Sequence, residues 1–283
     1  MDTDYLTEKH LVRRAFDKAA KSYDGSAVLQ REVGERMLSR LDYVNISPEM
    51  ILDAGSGTGA GKRSLGEIYP EARIVELDLS LAMLLQARPA WLKRLFNKPL
   101  QICGDIENLP IQSSSMDMIW SNLALQWCND LGSALSGISR ILKPNGLFMF
   151  STFGPDTLKE LREAFQDSRA HVNRFVDMHD IGDALLHSGF SMPVMDMEYI
   201  TLTYEDVRGV MKDLKAIGAH NALQGRPRGL FGKTAWHRVL EHYESRRKEG
   251  RLPATFEVVY GHAWKPEPSS FPEGSHIIRF SRK

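Results

Sequence analysis

Residues 50–59 read Met-Ile-Leu-Asp-Ala-Gly-Ser-Gly-Thr-Gly. Three apolar residues run into an acid, Asp53, and glycines follow at alternate positions, Gly55, Gly57 and Gly59. Glycine lets the backbone turn sharply and approach a ligand with no Cβ in the way. The stretch therefore predicts a strand ending in a nucleotide-binding turn. The dinucleotide fingerprint spaces its glycines G-x-G-x-x-G and seats a pyrophosphate on the helix N-terminus. Here the third glycine comes one residue early and an acid precedes the turn, which disfavours a pyrophosphate.

The pattern repeats downstream. Arg73-Ile74-Val75-Glu76-Leu77-Asp78 is a second strand ending in an acid, where a Rossmann-like fold hydrogen-bonds a ribose. A short third strand, Leu100 to Cys103, ends at Gly104-Asp105-Ile106. Met116 to Asn122 predicts a fourth, running into Leu123-Ala124-Leu125-Gln126-Trp127. Ile141 to Phe150 predicts a helix end, a Pro-Asn-Gly turn and a buried strand. One acid at a strand end is ordinarily a cap; three in succession fit chance poorly.

Composition narrows the class. A chain of 283 residues, 42% hydrophobic, can bury a large core and fits one elaborated domain. Its 36 basic and 36 acidic residues give no overall bias toward nucleic acid or membrane. The two cysteines, Cys103 and Cys128, predict reduced packing residues, which points to a cytoplasmic protein rather than a disulfide or zinc scaffold. The first ten residues lack a signal-peptide apolar stretch, and no run approaches the roughly twenty apolar residues of a membrane helix. Nine histidines lie scattered without ligand spacing, so no metal site is expected.

The series of acids and glycines resembles the S-adenosylmethionine-dependent methyltransferases of the Rossmann-like class. The resemblance implies an α/β fold: a mostly parallel seven-stranded sheet, helices on both faces, N-terminal helices and a helical insertion before the last strand. It implies that Gly55, Ser56, Gly57 and Gly59 carry the methionine end of S-adenosyl-L-methionine and that Asp78 chelates the ribose. Asp105 and Ile106 would read the adenine, with Asp53, Leu79 and Asn122 completing the cofactor set. Relatives usually carry glycine where this chain has Glu76, which is expected to stand behind Asp78 rather than on the cofactor.

Around that core, residues 10–42 predict two N-terminal helices broken near Ala20 to Asp24, and the cofactor-binding core is expected over 48–203. Helices are predicted over 155–168 and 179–188, strands over 192–203 and 255–264, and a loosely held tail from Pro266. Between 204 and 253 lies a helical insertion, with Val207, Val210, Met211 and Leu214 on one amphipathic stripe and Trp236, Val239, Leu240 and Tyr243 on another. Residues 203–253 hold eleven lysines and arginines against six acids, while the rest of the chain holds 25 against 30. Such a run is commonly a solvated face, but here it also predicts a lid that meets an acidic partner, with Lys215, Arg226, Arg228 and Lys233 as contacts.

A closer resemblance rests on Phe16-Asp17-Lys18-Ala19-Ala20-Lys21-Ser22-Tyr23-Asp24, on Ser151 to Arg162, and on Val258-Val259-Tyr260-Gly261-His262-Ala263-Trp264. Leu214 to Asn221 and Gly229 to Lys233 extend it into the insertion. These look like the malonyl-carrier-protein O-methyltransferases of biotin synthesis, the BioC family. That resemblance implies a malonyl-acyl-carrier protein partner and methylation of its free carboxylate, with neither nucleic acid nor membrane involved. Tyr23, Gln126 and Trp127 are the expected acceptor-side residues: a phenol and an amide to orient the carboxylate, and an indole as wall. Their bland readings are a helix cap, a solvated loop residue and a core anchor. Three rivals remain at this stage: an arginine hydroxylase of complex I assembly, a small-molecule methyltransferase, and a binding module that keeps the pocket for structure.

Overall fold

The computed structural model describes residues 6–88, 99–165, 173, 175–217, 222–225 and 232–268. Three helices open the chain: α1 Lys9–Ala19, α2 Tyr23–Ser26 and α3 Val28–Arg40. The alternating part runs β1 Met50–Ala54, α4 Ala60–Ile68, β2 Arg73–Asp78, α5 Leu81–Gln86, β3 Leu100–Cys103 and β4 Met116–Asn122. It continues with α6 Leu131–Ile141, β5 Leu142–Phe153, α7 Lys159–Ala164, α8 Met178–His187 and β6 Ser191–Tyr204. The insertion contributes α9 Val207–Ala216 and α10 Lys233–Glu244, and β7 Leu252–Trp264 follows.

The seven strands lie in the order β3-β2-β1-β4-β5-β7-β6. β1 to β5 pair in parallel, and β7 alone runs antiparallel to both neighbours. Side chains alternate across the sheet. Ile51, Met118, Trp120, Leu147 and Met149 pack on one face with α3, α7, α9 and α10; Leu52, Ile119, Phe148 and Phe150 pack on the other with α6 and α8. Strand order reverses between β1 and β4, and such a reversal opens a crevice at the carboxyl ends of the strands.

The sequence expectations for the core hold, with local differences. The N-terminal helices number three, because the chain breaks at Ala20–Ser22 and winds one further turn that carries Tyr23. The helix expected over 155–168 is confined to Lys159–Ala164: Pro155 sits in a preceding turn, and Leu158 adopts φ 55°. Residues 166–168 of that expectation lie outside the described residues. Cys103 is exposed rather than packed, since β3 is an edge strand.

Gly261 explains one quoted motif. A Cβ there would lie 2.4 Å from Cζ of buried Phe150 and 2.8 Å from the Met195 sulfur, and Phe150 stacks on Phe148 at 4.9 Å. Neither ring can give way, so Gly261→Ala should cost about 1–3 kcal/mol by overpacking. Urea denaturation checks this; an unchanged midpoint would contradict the packing account.

Candidate functional site

Two chambers open over the glycine turn. The first, about 630 Å³ with its mouth, is walled by Asp78, Leu79, Asp105, Ile106, Phe16 and Trp127 among others. The second, about 700 Å³, is walled by Asp53, Ser56, Gln30, Arg31 and Arg63 among others. Tyr23, Gly55, Gly57 and Asn122 line both and form the partition.

The turn is built as its glycines require. Gly55, Gly57 and Gly59 have φ of 82°, 54° and 80°, the left-handed region where a Cβ is disfavoured. The amides of Gly55 and Ser56 both donate to the Leu77 carbonyl, pinning the turn across the end of β2. Gly57 N–H donates to Asp78 Oδ2 at 2.8 Å, and Ser80 N–H to Oδ1 at 2.7 Å. Asp78 thus braces the turn while presenting its carboxylate to the first chamber. Burial, the strongest influence, pushes its carboxyl up to about 6, against the lowering effect of these two amides.

Asp53 stands beneath the second chamber. Its Oδ2 is buried with no hydrogen-bond partner among the described residues, and a Cβ on Gly61 would lie 2.6 Å from it. Burial first, then Glu76 and Asp78, push its carboxyl up to about 7. Gln30 Oε1 and Ser56 Oγ, in the same chamber, are also buried and unpartnered. Buried acceptors ordinarily have donors. Two unsatisfied acceptors and an unpartnered hydroxyl beside a glycine turn fit an ammonium group, which is what the methionine end of S-adenosylmethionine carries. An ammonium seated on Asp53 requires the ionised carboxylate. Affinity for S-adenosylhomocysteine should therefore rise about tenfold from pH 6 to pH 8, as one ionisation near 7 demands. Calorimetric titration reads it, and Asp53→Asn should flatten the curve; an equal slope in that variant would refute the assignment.

The N-terminal helices roof the first chamber and are tied to the loops that follow β1, β2 and β3. Asp17 Oδ1 accepts from Ser80 Oγ at 2.6 Å, and Asp24 accepts from the Thr58 hydroxyl. Lys9 Nζ meets Asp105 Oδ1 at 3.0 Å and also pairs with Glu107. Burial lowers the Lys9 pKa, yet these acids and Cys128 outweigh it and the net direction is upward. Leu123, at the end of β4, holds φ 48° against the first chamber, a strained backbone of the kind found at ligand sites.

The structure places most predicted residues together and relocates others. Asp53, Gly55, Ser56, Gly57, Asp78, Leu79, Asp105, Ile106 and Asn122 all line one chamber or both. The Asn122 amide is occupied, donating to the Gln30 carbonyl and accepting from Ser151 Oγ. Gly59 lines neither: a Cβ there would lie 2.8 Å from Glu76 Oε1, so its role is to let the turn pass over that acid. Glu76 is fully buried behind the turn, with Oε2 2.7 Å from Lys62 Nζ and 3.2 Å from Gln101 Nε2.

The two expected acceptor-side residues behind β4 lie apart. Gln126 lines neither chamber, because its amide turns away, donating to the Leu123 carbonyl at 2.6 Å and facing Thr152 Oγ1 at 3.4 Å. Trp127 packs edge-on against Phe16 at 5.4 Å and lines the first chamber with Asp105. Lys215 and Lys233 are exposed on α9 and α10 and line neither chamber. Arg226 and Arg228 lie outside the described residues. Missed by sequence reading were Lys9, Val12, Met83 and Cys128 in the first chamber and Gln30, Arg31 and Arg63 in the second. The Val12–Phe16 stripe was the available signal, and it reads equally well as core.

Among the described residues, no cluster of three or more His, Cys, Asp or Glu could hold a metal, and no helix is long and apolar enough to cross a membrane. A methyltransferase-domain family model matches residues 52–150. The fold is similar to that of the YcgJ protein from Bacillus subtilis (TM-score 0.59, 14% identity, 83% of this chain and 100% of that one). In sequence, the chain is 57% identical to a malonyl-[acyl-carrier protein] O-methyltransferase of Gallionella capsiferriformans, over 99% of both chains. It is also 57% identical to one of Nitrosospira multiformis, over 94% of this chain and 92% of the relative. Likeness of this degree, running through the turn, the roof and the insertion, means that the chain belongs to the malonyl-[acyl-carrier protein] O-methyltransferase family.

Proposed function

We infer that the chain methylates the free carboxylate of a malonyl thioester borne on an acyl-carrier protein, an early step of biotin synthesis in the cytoplasm. The observation that carries this reading is the pair of chambers meeting at Tyr23 and Gly57, one suited to a nucleoside and the other polar and charged. S-adenosylmethionine, when bound, supplies an electrophilic methyl on a sulfonium.

The protein's residues have the task of alignment and exclusion of water. A malonyl carboxylate, with a pKa of about 4 or below, is already ionised at neutral pH, so no base is required. Tyr23 suits this: burial, then Asp78 and Asp24, raise its phenol well above the ordinary value. It stays protonated and can donate to an acceptor oxygen. Its hydroxyl has no hydrogen-bond partner among the described residues. With Tyr23 donating to one oxygen of the acceptor carboxylate, the other oxygen would face the methyl that the bound sulfonium supplies. Opposite charges merge in the transfer, and a dry, pre-aligned site favours it. In the insertion, α9 approaches α2, the turn that carries Tyr23.

The test is transfer of label from S-adenosylmethionine to malonyl-carrier protein, with acetyl-carrier protein as control. Label on both, or on neither, would overturn the reading. Tyr23→Phe should slow turnover about ten- to a hundred-fold, the worth of one hydrogen bond to a charged group, with S-adenosylhomocysteine affinity unchanged. Trp127→Ala should instead weaken that affinity. Parental turnover by Tyr23→Phe would remove the phenol from the acceptor side.

A further inference from the structure

Two rows of cations flank the turn that carries Tyr23, and the methyl-transfer account gives neither a task. On α1, Val12, Ala15 and Ala19 are buried, while Arg14 and Lys18 stand exposed on the opposite side. Lys21 follows, also exposed, in the break between α1 and α2, two residues before Tyr23. On α9, Val207 and Val210 are buried while Arg208, Lys212 and Lys215 are exposed. Residues three and four apart share a helix face, so Arg14-Lys18-Lys21 and Arg208-Lys212-Lys215 are rows of the same spacing.

The surrounding acids do not neutralise them. None of the six forms an ion pair among the described residues. Residues 9–24 carry five lysines and arginines against two acids, and residues 203–253 carry eleven against six. Asp17 and Asp24 turn onto Ser80 and Thr58, and Asp206 caps α9 through the Gly209 amide. Asp213 faces Tyr204. One such row would serve as a solvated helix face. Here two rows, from opposite ends of the chain, are brought to the same short turn, which Lys21 adjoins and α9 approaches. A surface of one sign attracts a partner of the other and speeds their encounter.

We propose that these two rows form the docking surface for an acidic face of the carrier protein, which delivers its thioester arm toward Tyr23. The proposal rests on the methyl-transfer reading, and it adds the N-terminal helix to the surface expected of the insertion.

Two triple variants test it: Arg14→Gln with Lys18→Gln and Lys21→Gln, and Arg208→Gln with Lys212→Gln and Lys215→Gln. Glutamine keeps the helix propensity of the residues it replaces. The KM for malonyl-carrier protein should rise about tenfold in each, the combined worth of three exposed charge pairs, with kcat unchanged. The KM for malonyl-N-acetylcysteamine, which has no carrier surface, should stay parental, as should S-adenosylhomocysteine affinity. Raising the salt should weaken carrier binding by the parental chain and affect the variants less. Parental KM for carrier protein in both variants, or an equal rise on the small thioester, would overturn the proposal. A rise in only one variant would overturn the two-row arrangement. Fluorescence anisotropy of labelled carrier protein reads docking without turnover, so a chain that binds the carrier yet methylates no malonyl thioester would fail the enzyme reading alone.

Discussion

Replacing Asp78 by alanine should weaken S-adenosylhomocysteine binding by about ten- to a hundred-fold. The carboxylate is the ribose acceptor we propose and also the brace that takes the Gly57 and Ser80 amides. A charged hydrogen-bonded group in a buried site is worth about 1.5–3 kcal/mol. Its loss removes that contact and also frees two backbone donors that hold the turn. The effect should fall on affinity for every ligand containing the ribose, methylthioadenosine included, because the acid faces the first chamber. Calorimetric titration measures it. Unchanged affinity would mean that another acid carries the ribose. Glu76 is a poor substitute, being committed to Lys62 and Gln101 behind the turn.

Gly57→Val should abolish cofactor binding altogether. Gly57 has φ 54°, where a side chain costs about 1–2 kcal/mol. A Cβ there would lie 3.8 Å from Tyr23 Cε1, so the branched methyls of valine would enter the junction where the two chambers meet. The nucleoside and the amino-acid end of one ligand could no longer be joined through it. Titration with S-adenosylhomocysteine should give no heat, and the variant should transfer no methyl group. Circular dichroism should show the secondary structure retained, since Gly57 is not part of the core. Near-parental binding would show that the ligand bypasses the partition.

The two variants probe features that were legible at very different levels. Gly57 could be chosen from residues 50–59 alone, and Asp78 from its place at the end of a strand. The consequence of either change depends on Tyr23, Ser80 and Asp17, which come from other parts of the chain. Strand, turn and helix start are decided by neighbours in sequence, so glycine spacing and apolar runs announce them. The sheet followed from repetition of that unit, whereas the antiparallel direction of β7 is seen only in its pairing with β5 and β6.

The acceptor side shows the opposite case. Gln126 and Trp127 stand close behind β4 in sequence, and proximity to that strand made both natural candidates. Their side chains nevertheless leave in different directions, Gln126 toward Thr152 and Trp127 toward Phe16. A 3-10 turn at Leu125–Trp127 sets those directions, and no feature of the local composition distinguishes them.

What the sequence by itself determined is the α/β architecture, the glycine turn and the acids Asp53, Asp78 and Asp105 at successive strand ends. Each is fixed by backbone conformation and burial within a few residues. What only the tertiary structure decided is the division of the site into two chambers. That division depends on α1, α2 and α3 folding back over the sheet, held by Lys9 on Asp105, Asp17 on Ser80 and Asp24 on Thr58. These contacts join residues 34 to 96 positions apart. A contact of that range leaves no periodicity in the chain, because its geometry exists only once the sheet has brought the partners together.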